Sequence, residues 1–432
     1  MDFNRIISIG KSRNIKNASW IIAEQVYQMI LSLVLSVISA RYLGPSQFGE
    51  LQYTASFIVF FTSITTLGME GVAIKKMVIY PEKEGLYLGS CIAFRFVSSV
   101  LSSIAILLIV FFLNIGDTVK FVLAALQTIQ LFAKAFLLFD SWFQRHLKSK
   151  YVSIAKVIAS TIVAFYKIYL LITTKSVEWF AFSTSFDVII ISCLLFYFYK
   201  KENGQPLQFS FRVGMEVLSE SYHFIISGLM VATFGQMDKI MIGKMLSDAS
   251  VGYYVTAASI CSMWVFIPIA IINSFQPSIM ELKKSGLENL YLRRLEQLYS
   301  LIIWVSIAFS VIITLSSSLI VRLLFGESYM GAVEPLQIII WSETFSMIGT
   351  ARGIWVLCEN KNKYVKYYLA WGVVVNLALN FMLIPLWGIN GAAFATLVTQ
   401  IVTSLVAPIL YKNTRIHTKY VMDAFLFNWQ KV

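Results

Sequence analysis

Long apolar stretches alternate with short polar segments along the whole chain, and this alternation predicts a series of membrane-spanning helices. A helix rises about 1.5 Å per residue, so roughly 20 apolar residues cross the hydrocarbon of a bilayer. Dividing the chain at its charged breaks gives twelve such stretches: residues 18–40, 51–69, 88–113, 118–143, 151–173, 177–199, 217–239, 250–273, 297–323, 335–358, 364–386 and 388–411. We therefore predict an all-α polytopic membrane protein with about twelve transmembrane helices.

Two pairs of similar segments indicate that the chain consists of two related halves. They align residues 43–58 with 246–261 and residues 177–186 with 389–398. In the first pair Gly49 falls opposite Gly252, and at the same spacing Arg41 falls opposite Lys244. Because the two pairs occur in the same order, they predict two six-helix lobes related by an internal repeat. Repeats of this kind place a substrate site between two helix bundles.

A long polar segment in the middle of the chain marks the boundary between the halves. It covers residues 200–213 and contains Gly204 and Pro206, which favour a linker. The predicted domains are therefore an N-terminal six-helix lobe (1–199), a cytoplasmic linker (200–213) and a C-terminal six-helix lobe (214–432).

Composition and charge agree with a membrane protein and predict its orientation. Hydrophobic residues make up 58% of the chain and charged residues 13%, with a mean hydropathy of +0.72, whereas a soluble domain has about 25% charged residues. The net charge is +12, and 24 of the 35 Lys and Arg fall in the termini and alternate loops, against six in the other loops. The positive-inside rule then places both termini in the cytoplasm and explains the basic charge without nucleic acid.

The sequence contains no pattern typical of an enzyme, a metal site or a cofactor site. The four cysteines are scattered through apolar stretches, and no P-loop, GxSxG or HExxH pattern occurs. The first apolar run follows Lys11, Arg13 and Lys16 and is longer than the core of a signal peptide, so we expect an uncleaved span. A membrane glycosyltransferase or polymerase remains an alternative because such enzymes can lack these motifs, although the external loops are short.

Four cations lie inside predicted spans and are the strongest indication of function. Arg95, Lys134, Lys156 and Lys167 would each cost about 2.5–3.5 kcal/mol at the bilayer centre if they faced lipid. They must instead face the protein interior or a watery cavity, and an excess of buried cations favours an anionic cargo. Arg41, at the external end of the first span, is a further candidate.

Polar stripes on neighbouring helices predict the wall of this cavity. Glu24 and Gln28 share a face of the first span, and Gln127 and Gln130 share a face with Lys134 on the fourth. An alternative is that the cations neutralise carboxylates in buried ion pairs, with Asp140, Asp187 and Glu24 available as partners. Lys167 could also extend to the membrane interface.

Polar groups in the second half allow more than one interpretation. Glu220 and His223 lie on neighbouring turns and could carry protons, or they could form a polar pair at an interface. Asn376, Asn380 and Thr396 could bind sugar or join helices through hydrogen bonds.

The N-terminal sequence resembles that of bacterial polysaccharide flippases. These flippases belong to the multidrug/oligosaccharidyl-lipid/polysaccharide exporter superfamily. The residues that carry the resemblance are Asn17, Trp20, Ala40, Arg41, Tyr42, Leu43, Gly44, Pro45, Phe48, Gly49, Leu67 and Gly68. The late segment IPLWGINGAAFAT, residues 384–396, resembles the last hairpin of the same family.

The resemblance implies a V-shaped exporter in the bacterial inner membrane that opens alternately to either side. The implied cargo is an undecaprenyl-diphosphate-linked oligosaccharide, such as an O-antigen or capsule repeat unit. Arg95, Lys134 and Lys156 would then hold the diphosphate. Coupling to an ion gradient would make Asp187, Glu220 or Asp238 a coupling group. A polysaccharide polymerase and a chain-length regulator are the implied protein partners.

A multidrug antiporter of the same fold is the main rival interpretation. Such a pump needs acidic groups in its cavity without surplus cations, so the buried cations disfavour it. They equally disfavour a scaffold without transport activity, which would have no use for them.

Overall fold

The chain is helical throughout the residues that the structure describes. This computed structural model covers residues 13–426, with side chains from Trp20 onward apart from Ile22, and contains no strand in that range. Its sixteen α-helices, numbered in chain order, are α1 Arg13–Thr65, α2 Met69–Ile79, α3 Glu84–Leu113, α4 Thr118–Phe136, α5 Phe139–Arg145, α6 Ser149–Ile172, α7 Val177–Lys201, α8 Phe211–Met245, α9 Asp248–Ser262, α10 Phe266–Lys284, α11 Glu288–Leu324, α12 Val333–Cys358, α13 Val365–Trp387, α14 Ile389–Ile401, α15 Ala407–Ile409 and α16 Arg415–Phe425. A π turn at Val402–Val406 joins α14 to α15. The two ends of the chain, which the sequence predicts to be cytoplasmic, lie outside the described residues. So does the side chain of Asn17.

Ten helical segments within the described part of the chain are long and apolar enough to cross a membrane. The first of them, Ala23–Ile79, includes a break in α1 at Gly44, where φ is 72° and Pro45 follows. Glycine tolerates this φ, and proline provides no N–H for the helix. Dividing the segment there, and adding α12 with its 26 residues and three charges, gives the twelve spans that the sequence predicts. The prediction of an all-α polytopic membrane protein is confirmed.

The helices group into two compact units. The N-terminal unit comprises the residues up to Leu43 and Tyr53–Ala232, and the C-terminal unit comprises Gly44–Gln52 and the residues from Thr233 onward. The divisions fall within α1 and α8, so each of these helices contributes to both units. The predicted limits of the lobes, at residues 199 and 214, differ from this division and stay a prediction.

Each unit has an apolar core that consists largely of aromatic and aliphatic side chains. The central residues are Leu88, Phe139, Trp142, Phe143 and Tyr199 in the N-terminal unit, and Tyr291, Leu295, Tyr299, Ile348 and Trp355 in the C-terminal unit. Burying one such side chain contributes about 1.5–3 kcal/mol, so these cores hold the helices on which the charged groups lie.

Gly49 and Gly252, which the sequence repeat aligns, form one close contact within the C-terminal unit. A Cβ atom on Gly49 would lie 1.7 Å from the backbone oxygen of Asp248, and one on Gly252 would lie 2.2 Å from that of Pro45. The two backbones therefore touch, and a larger residue at either position would force them apart. Both glycines of the repeat are thus required for packing.

Arg352 in α12 has a structural role in the C-terminal unit. Its Nη1 donates to the backbone oxygens of Thr403 at 2.6 Å and Ser404 at 3.4 Å, and its guanidinium lies 4.5 Å from the ring centre of Tyr368. The two oxygens belong to the π turn, where the regular helical hydrogen bonds are interrupted. The turn therefore supplies the acceptors that this buried cation needs.

His417 in α16 is buried against α11 and Arg352. No part of the residue is exposed, and its Nε2 lies 3.0 Å from the hydroxyl oxygen of Tyr299. Burial, and after it the charge of Arg352, lowers the pKa of His417 well below its ordinary value of 6.5. The folded protein therefore holds this imidazole neutral.

Acidification is expected to destabilise the protein through His417. The unfolded chain binds a proton at this residue below pH 6.5, and the folded chain does not. The contribution of His417 to the free energy of unfolding is therefore fully present above that pH. Below it, each pH unit costs up to about 1.4 kcal/mol until the folded pKa is reached. Thermal unfolding in detergent is measured from about pH 8 to about pH 5, a range that brackets the ordinary pKa of about 6.5. Across this range the unfolding temperature of His417→Gln should fall less than that of the parent protein. His223→Gln, at an exposed position, is the control, and parallel profiles of all three proteins would refute the assignment.

Candidate functional site

Arg95 lies at the centre of the polar interior of the N-terminal unit. It projects from α3 with no exposed surface, and its Nη2 lies 3.4 Å from a carboxylate oxygen of Glu70 on α2. Its Nε and Nη1 are buried and have no hydrogen-bond partner among the described residues. Leaving such donors unpaired costs about 1–3 kcal/mol each, so Arg95 is an incompletely satisfied cation in this structure.

Lys134 is a second cation of this interior, partly buried, and its surroundings differ from those of Arg95. Its Nζ donates to the hydroxyl of Thr62 at 3.0 Å, and no carboxylate of the described residues lies within ion-pair distance of it. Gln130, one turn earlier on α4, donates to the hydroxyl of Thr184 at 3.5 Å, and Gln127 is fully buried. The polar stripe predicted on this helix therefore faces the interior of the unit.

Lys156 has the carboxylate partner that the ion-pair alternative requires. Its Nζ lies 3.9 Å from an oxygen of Glu24, which is 5% exposed. Gln28, one turn along α1, donates to the hydroxyl of Ser160 at 3.1 Å. Residues predicted to line a cavity on α1 and α6 thus contact each other directly.

The carboxylates around these cations form a connected network. Asp140 interacts electrostatically with Lys156, Glu70 and Glu24, while Glu70 also pairs with Arg95. Glu70 was missed at the sequence level because it lies at the start of a short helix outside the predicted spans. Two cations and three carboxylates therefore share this network, and Lys134 lies outside it.

Lys167 and Arg41 are the two remaining predicted cations. Lys167 on α6 interacts electrostatically with Asp187 on α7, so this pair fits the ion-pair alternative. Arg41 is exposed and lies three residues before the break in α1 at Gly44.

Asp238 is the centre of a buried polar cluster in the C-terminal unit. The residue is 5% exposed, and its carboxylate accepts hydrogen bonds from four side chains. The donors and their distances are Asn376 Nδ2 at 3.0 Å, Asn380 Nδ2 at 2.6 Å, Tyr254 Oη at 2.6 Å and Thr396 Oγ1 at 2.7 Å. Four helices, α8, α9, α13 and α14, converge to build it.

The amides of this cluster leave two oxygen atoms without partners. Asn376 Oδ1 and Asn380 Oδ1 are buried and accept no hydrogen bond within the described chain. Since an amide can turn by half a rotation about its last bond, each can present oxygen in place of nitrogen to Asp238. Oxygen atoms facing a carboxylate are favourable only with a cation between them. With both amides turned, Asp238, Asn376 and Asn380 could supply oxygen ligands to a hard cation. In the observed arrangement both asparagines join helices through hydrogen bonds, one of the two alternatives that the sequence left open, whereas Tyr254 was not predicted.

Glu220 and His223, the other candidates for coupling, have separate partners. Glu220 on α8 pairs with Lys76 at 2.6 Å and with Lys75 at 3.4 Å, and Glu216 pairs with Lys76 at 2.5 Å. The exposed ring of His223 packs on Tyr222. The charge of Glu220 is thus balanced by lysines of α2.

Metal sites built from acidic, His or Cys side chains are not found in the described range. Among residues 13–426, no group of three or more His, Cys, Asp or Glu side chains is arranged to hold a metal ion. The cluster at Asp238 contains a single carboxylate, which also interacts electrostatically with the neighbouring Lys239.

About twelve candidate spans within the described residues are the features of a multi-pass membrane protein. Three solved structures share this fold over nearly their whole length. They are the lipid II flippase MurJ in an inward closed conformation (14% identity, 95% of this chain and 92% of that chain, TM-score 0.72), a multidrug resistance MATE family transporter of the MOP superfamily facing inward (10%, 94% and 94%, 0.64), and the MATE transporter VcmN of Vibrio cholerae (11%, 97% and 98%, 0.58). At such low identity the similarities establish the exporter fold.

The family follows from the sequence itself. Residues 15–283 match the family described as "Polysaccharide biosynthesis protein", which is more than half of the chain. The chain belongs to this family. No curated protein sequence matches it.

Proposed function

We propose that the protein is a flippase that moves a polyprenyl-diphosphate-linked oligosaccharide from the cytoplasmic to the periplasmic leaflet. The observation that carries the proposal is a pair of cations with unused binding capacity, the buried Arg95 and the partly buried Lys134. Arg95 has two unpartnered N–H donor atoms, and Lys134 has no carboxylate partner in the described chain. A diphosphate brings the acceptors and the negative charge that both groups need.

Family membership and fold support the same proposal. The family is described by polysaccharide biosynthesis, and the structurally similar MurJ is a flippase of lipid II. An O-antigen or capsule repeat unit is the finer form of the proposed cargo. The proposed setting is the bacterial inner membrane with both termini in the cytoplasm, next to a polymerase and a chain-length regulator.

We further propose that transport is coupled to a monovalent cation bound at Asp238. Of the four candidates for coupling, Asp187 and Glu220 interact with lysines, and His223 is exposed. Asp238 interacts with a lysine too, its neighbour Lys239, but the side chains that hydrogen-bond to its carboxylate are all neutral, and two of them are amides with unused oxygen atoms. An ion that enters this site gives the two amide oxygens the partner that they lack. Its binding can therefore favour one conformation of the transporter.

A multidrug antiporter is the second candidate function, and one observation favours it. Three carboxylates, Glu24, Glu70 and Asp140, share the network with Arg95 and Lys156, which gives it a negative excess. An organic cation would suit that network. Lys134 opposes this candidate, because a cationic drug and an unpaired buried ammonium repel each other.

Reconstitution separates the two candidates. The purified chain is placed in liposomes that contain undecaprenyl diphosphate with a short oligosaccharide, and a membrane-impermeant glycosidase measures how much of the sugar becomes accessible. The expected result is faster exposure with the protein than in protein-free liposomes, accelerated by a cation gradient. Transport of a fluorescent organic cation without any movement of the lipid-linked sugar would contradict the proposal and favour the antiporter.

A further inference from the structure

The segment between α7 and α8, residues 202–210, lies along α3 as an ordered strap. The backbone N–H of Gln208 donates to the oxygen of Gly85 at 3.2 Å, and that of Ser210 donates to the hydroxyl of Ser90 at 2.9 Å. A Cβ atom on Gly85 would lie 2.2 Å from the oxygen of Pro206, and one on Gly89 would lie 2.4 Å from that of Gln208. The two glycines, one turn apart, therefore form the bed in which the strap is fixed.

The strap and the residue that follows it present large apolar side chains outward. Leu207 is 39% exposed, Phe209 61% and Phe211 66%. Exposing such side chains to water is unfavourable by about 25 cal/mol for every Å². The strap packs on the first turns of α3, so these exposed apolar side chains lie beside the beginning of a helix that is long enough to span a membrane.

Between the strap and helices α3 and α4 lies an apolar groove. Its volume is about 410 Å³. It is lined by Gly89, Ile92, Ala93, Phe96, Val97, Phe136, Leu207, Gln208 and Phe209. All but one of these residues are apolar, so the groove suits a hydrocarbon chain.

Exposed apolar residues of α3 continue the groove toward the other end of the helix. They recur every three or four residues at Val97, Val100, Ile104, Leu108 and Phe111. From Gly89 to Phe111 this surface extends about 33 Å. One leaflet contributes about half of a hydrocarbon thickness of roughly 30 Å, so the surface is longer than the acyl chain of a phospholipid can follow.

Basic residues flank the strap in sequence on both sides. Lys200 and Lys201 precede it, Arg212 follows it, and all three are exposed. They provide charge complementarity to a phosphorylated head group at the cytoplasmic end of the groove. The occupant that fits these features has an anionic head and an apolar chain longer than one leaflet.

We propose that this groove binds the polyisoprenoid chain of the lipid-linked cargo in the cytoplasmic leaflet. The proposal rests on the proposed flippase function and adds the subsite for the lipid tail. The polyisoprenoid lies between the strap and α3, with its phosphate near Arg212. As the head group crosses the membrane, the polyisoprenoid follows the exposed apolar residues of α3.

Photo-crosslinking in lipid nanodiscs tests the groove without requiring transport. The photoreactive residue p-benzoylphenylalanine replaces Phe209 in the groove or, as a matched control, Phe165, which is 68% exposed on α6 of the same unit. The probe is radiolabelled undecaprenyl phosphate in discs of phosphatidylethanolamine and phosphatidylglycerol. We expect several-fold more crosslinking at position 209 than at 165, and competition by unlabelled undecaprenol. Equal yields, or competition by added phosphatidylglycerol, would assign the groove to ordinary membrane lipid and overturn the proposal.

Filling the groove provides a second test. Ala93→Trp is expected to reduce crosslinking at position 209 several-fold, whereas Ile158→Trp on α6 leaves it unchanged. The experiments distinguish an error in the proposed groove from an error in the proposed flippase function. A chain that flips the lipid but shows no preferred crosslink at 209 refutes the groove alone, and a chain that crosslinks but never transports refutes the function alone.

Discussion

Replacing Asp238 with asparagine is expected to abolish cation-dependent stabilisation and ion-driven transport together. The carboxylate is the only charged group among the five side chains of its cluster, so asparagine keeps the shape but removes the charge that a cation needs. A ligand present at about 100 times its dissociation constant stabilises a protein by about 2.7 kcal/mol. The variant should lose this whole contribution. The introduced amide carries an N–H donor where the carboxylate had an accepting oxygen. This adds a local cost of about 1–3 kcal/mol, because the surrounding donors lose that acceptor.

Unfolding temperatures in sodium, lithium, potassium and choline chloride at equal ionic strength measure the effect. The parent protein should unfold several degrees higher in one of the small cations than in choline, and Asp238→Asn should unfold at one temperature in all four salts. Asp187→Asn is the matched control, because this carboxylate is partly buried in the N-terminal unit and interacts with Lys167. If Asp238→Asn kept the cation effect and Asp187→Asn lost it, coupling would belong to the N-terminal unit.

The hydrophobic pattern was sufficient to predict the helices, because each span depends on a local property of about 20 consecutive residues. Even the break in α1 has a local cause in Gly44 and Pro45. The cluster around Asp238 has no such signal. Its donors lie 16 to 158 positions away in sequence, and only the packing of four helices brings them together.

The cationic interior shows the same limit. Sequence reasoning identified Arg95 and Lys134 from the cost of burying charge, but it did not find Glu70, the partner of Arg95. Glu70 lies one residue beyond the predicted second span, so the cost of burying charge in a span did not draw attention to it. The segment 200–213 shows a further limit. Its Gly and Pro predict a loop correctly, whereas the exposed Leu207 and Phe209 acquire meaning only from the helix against which the loop packs.

Lys134→Ala is expected to raise stability and to abolish transport, and these opposite signs separate a functional cation from a structural one. A partly buried ammonium whose described partner is a neutral hydroxyl costs free energy in the empty transporter, because it has lost water without gaining an opposite charge. Alanine removes that cost. The same change removes a charge-assisted hydrogen bond to the diphosphate, about 1.5–3 kcal/mol, and so weakens cargo binding roughly 10- to 100-fold.

Thermal unfolding is measured on the purified variants. Surface polysaccharide is measured in a flippase-null strain that produces the same variants at matched protein levels. Lys134→Arg should retain both transport and the parent's stability, because the charge is kept. Lys76→Ala is the contrasting control, since this lysine pairs with Glu216 and Glu220 and its loss should destabilise the fold. A Lys134→Ala protein that is less stable than the parent and still makes normal polymer would show that Lys134 serves the fold, and the diphosphate site would then have to be sought elsewhere. A protein that is more stable yet makes no polymer would mean that the chain tolerates an unfavourable buried charge because the cargo neutralises it.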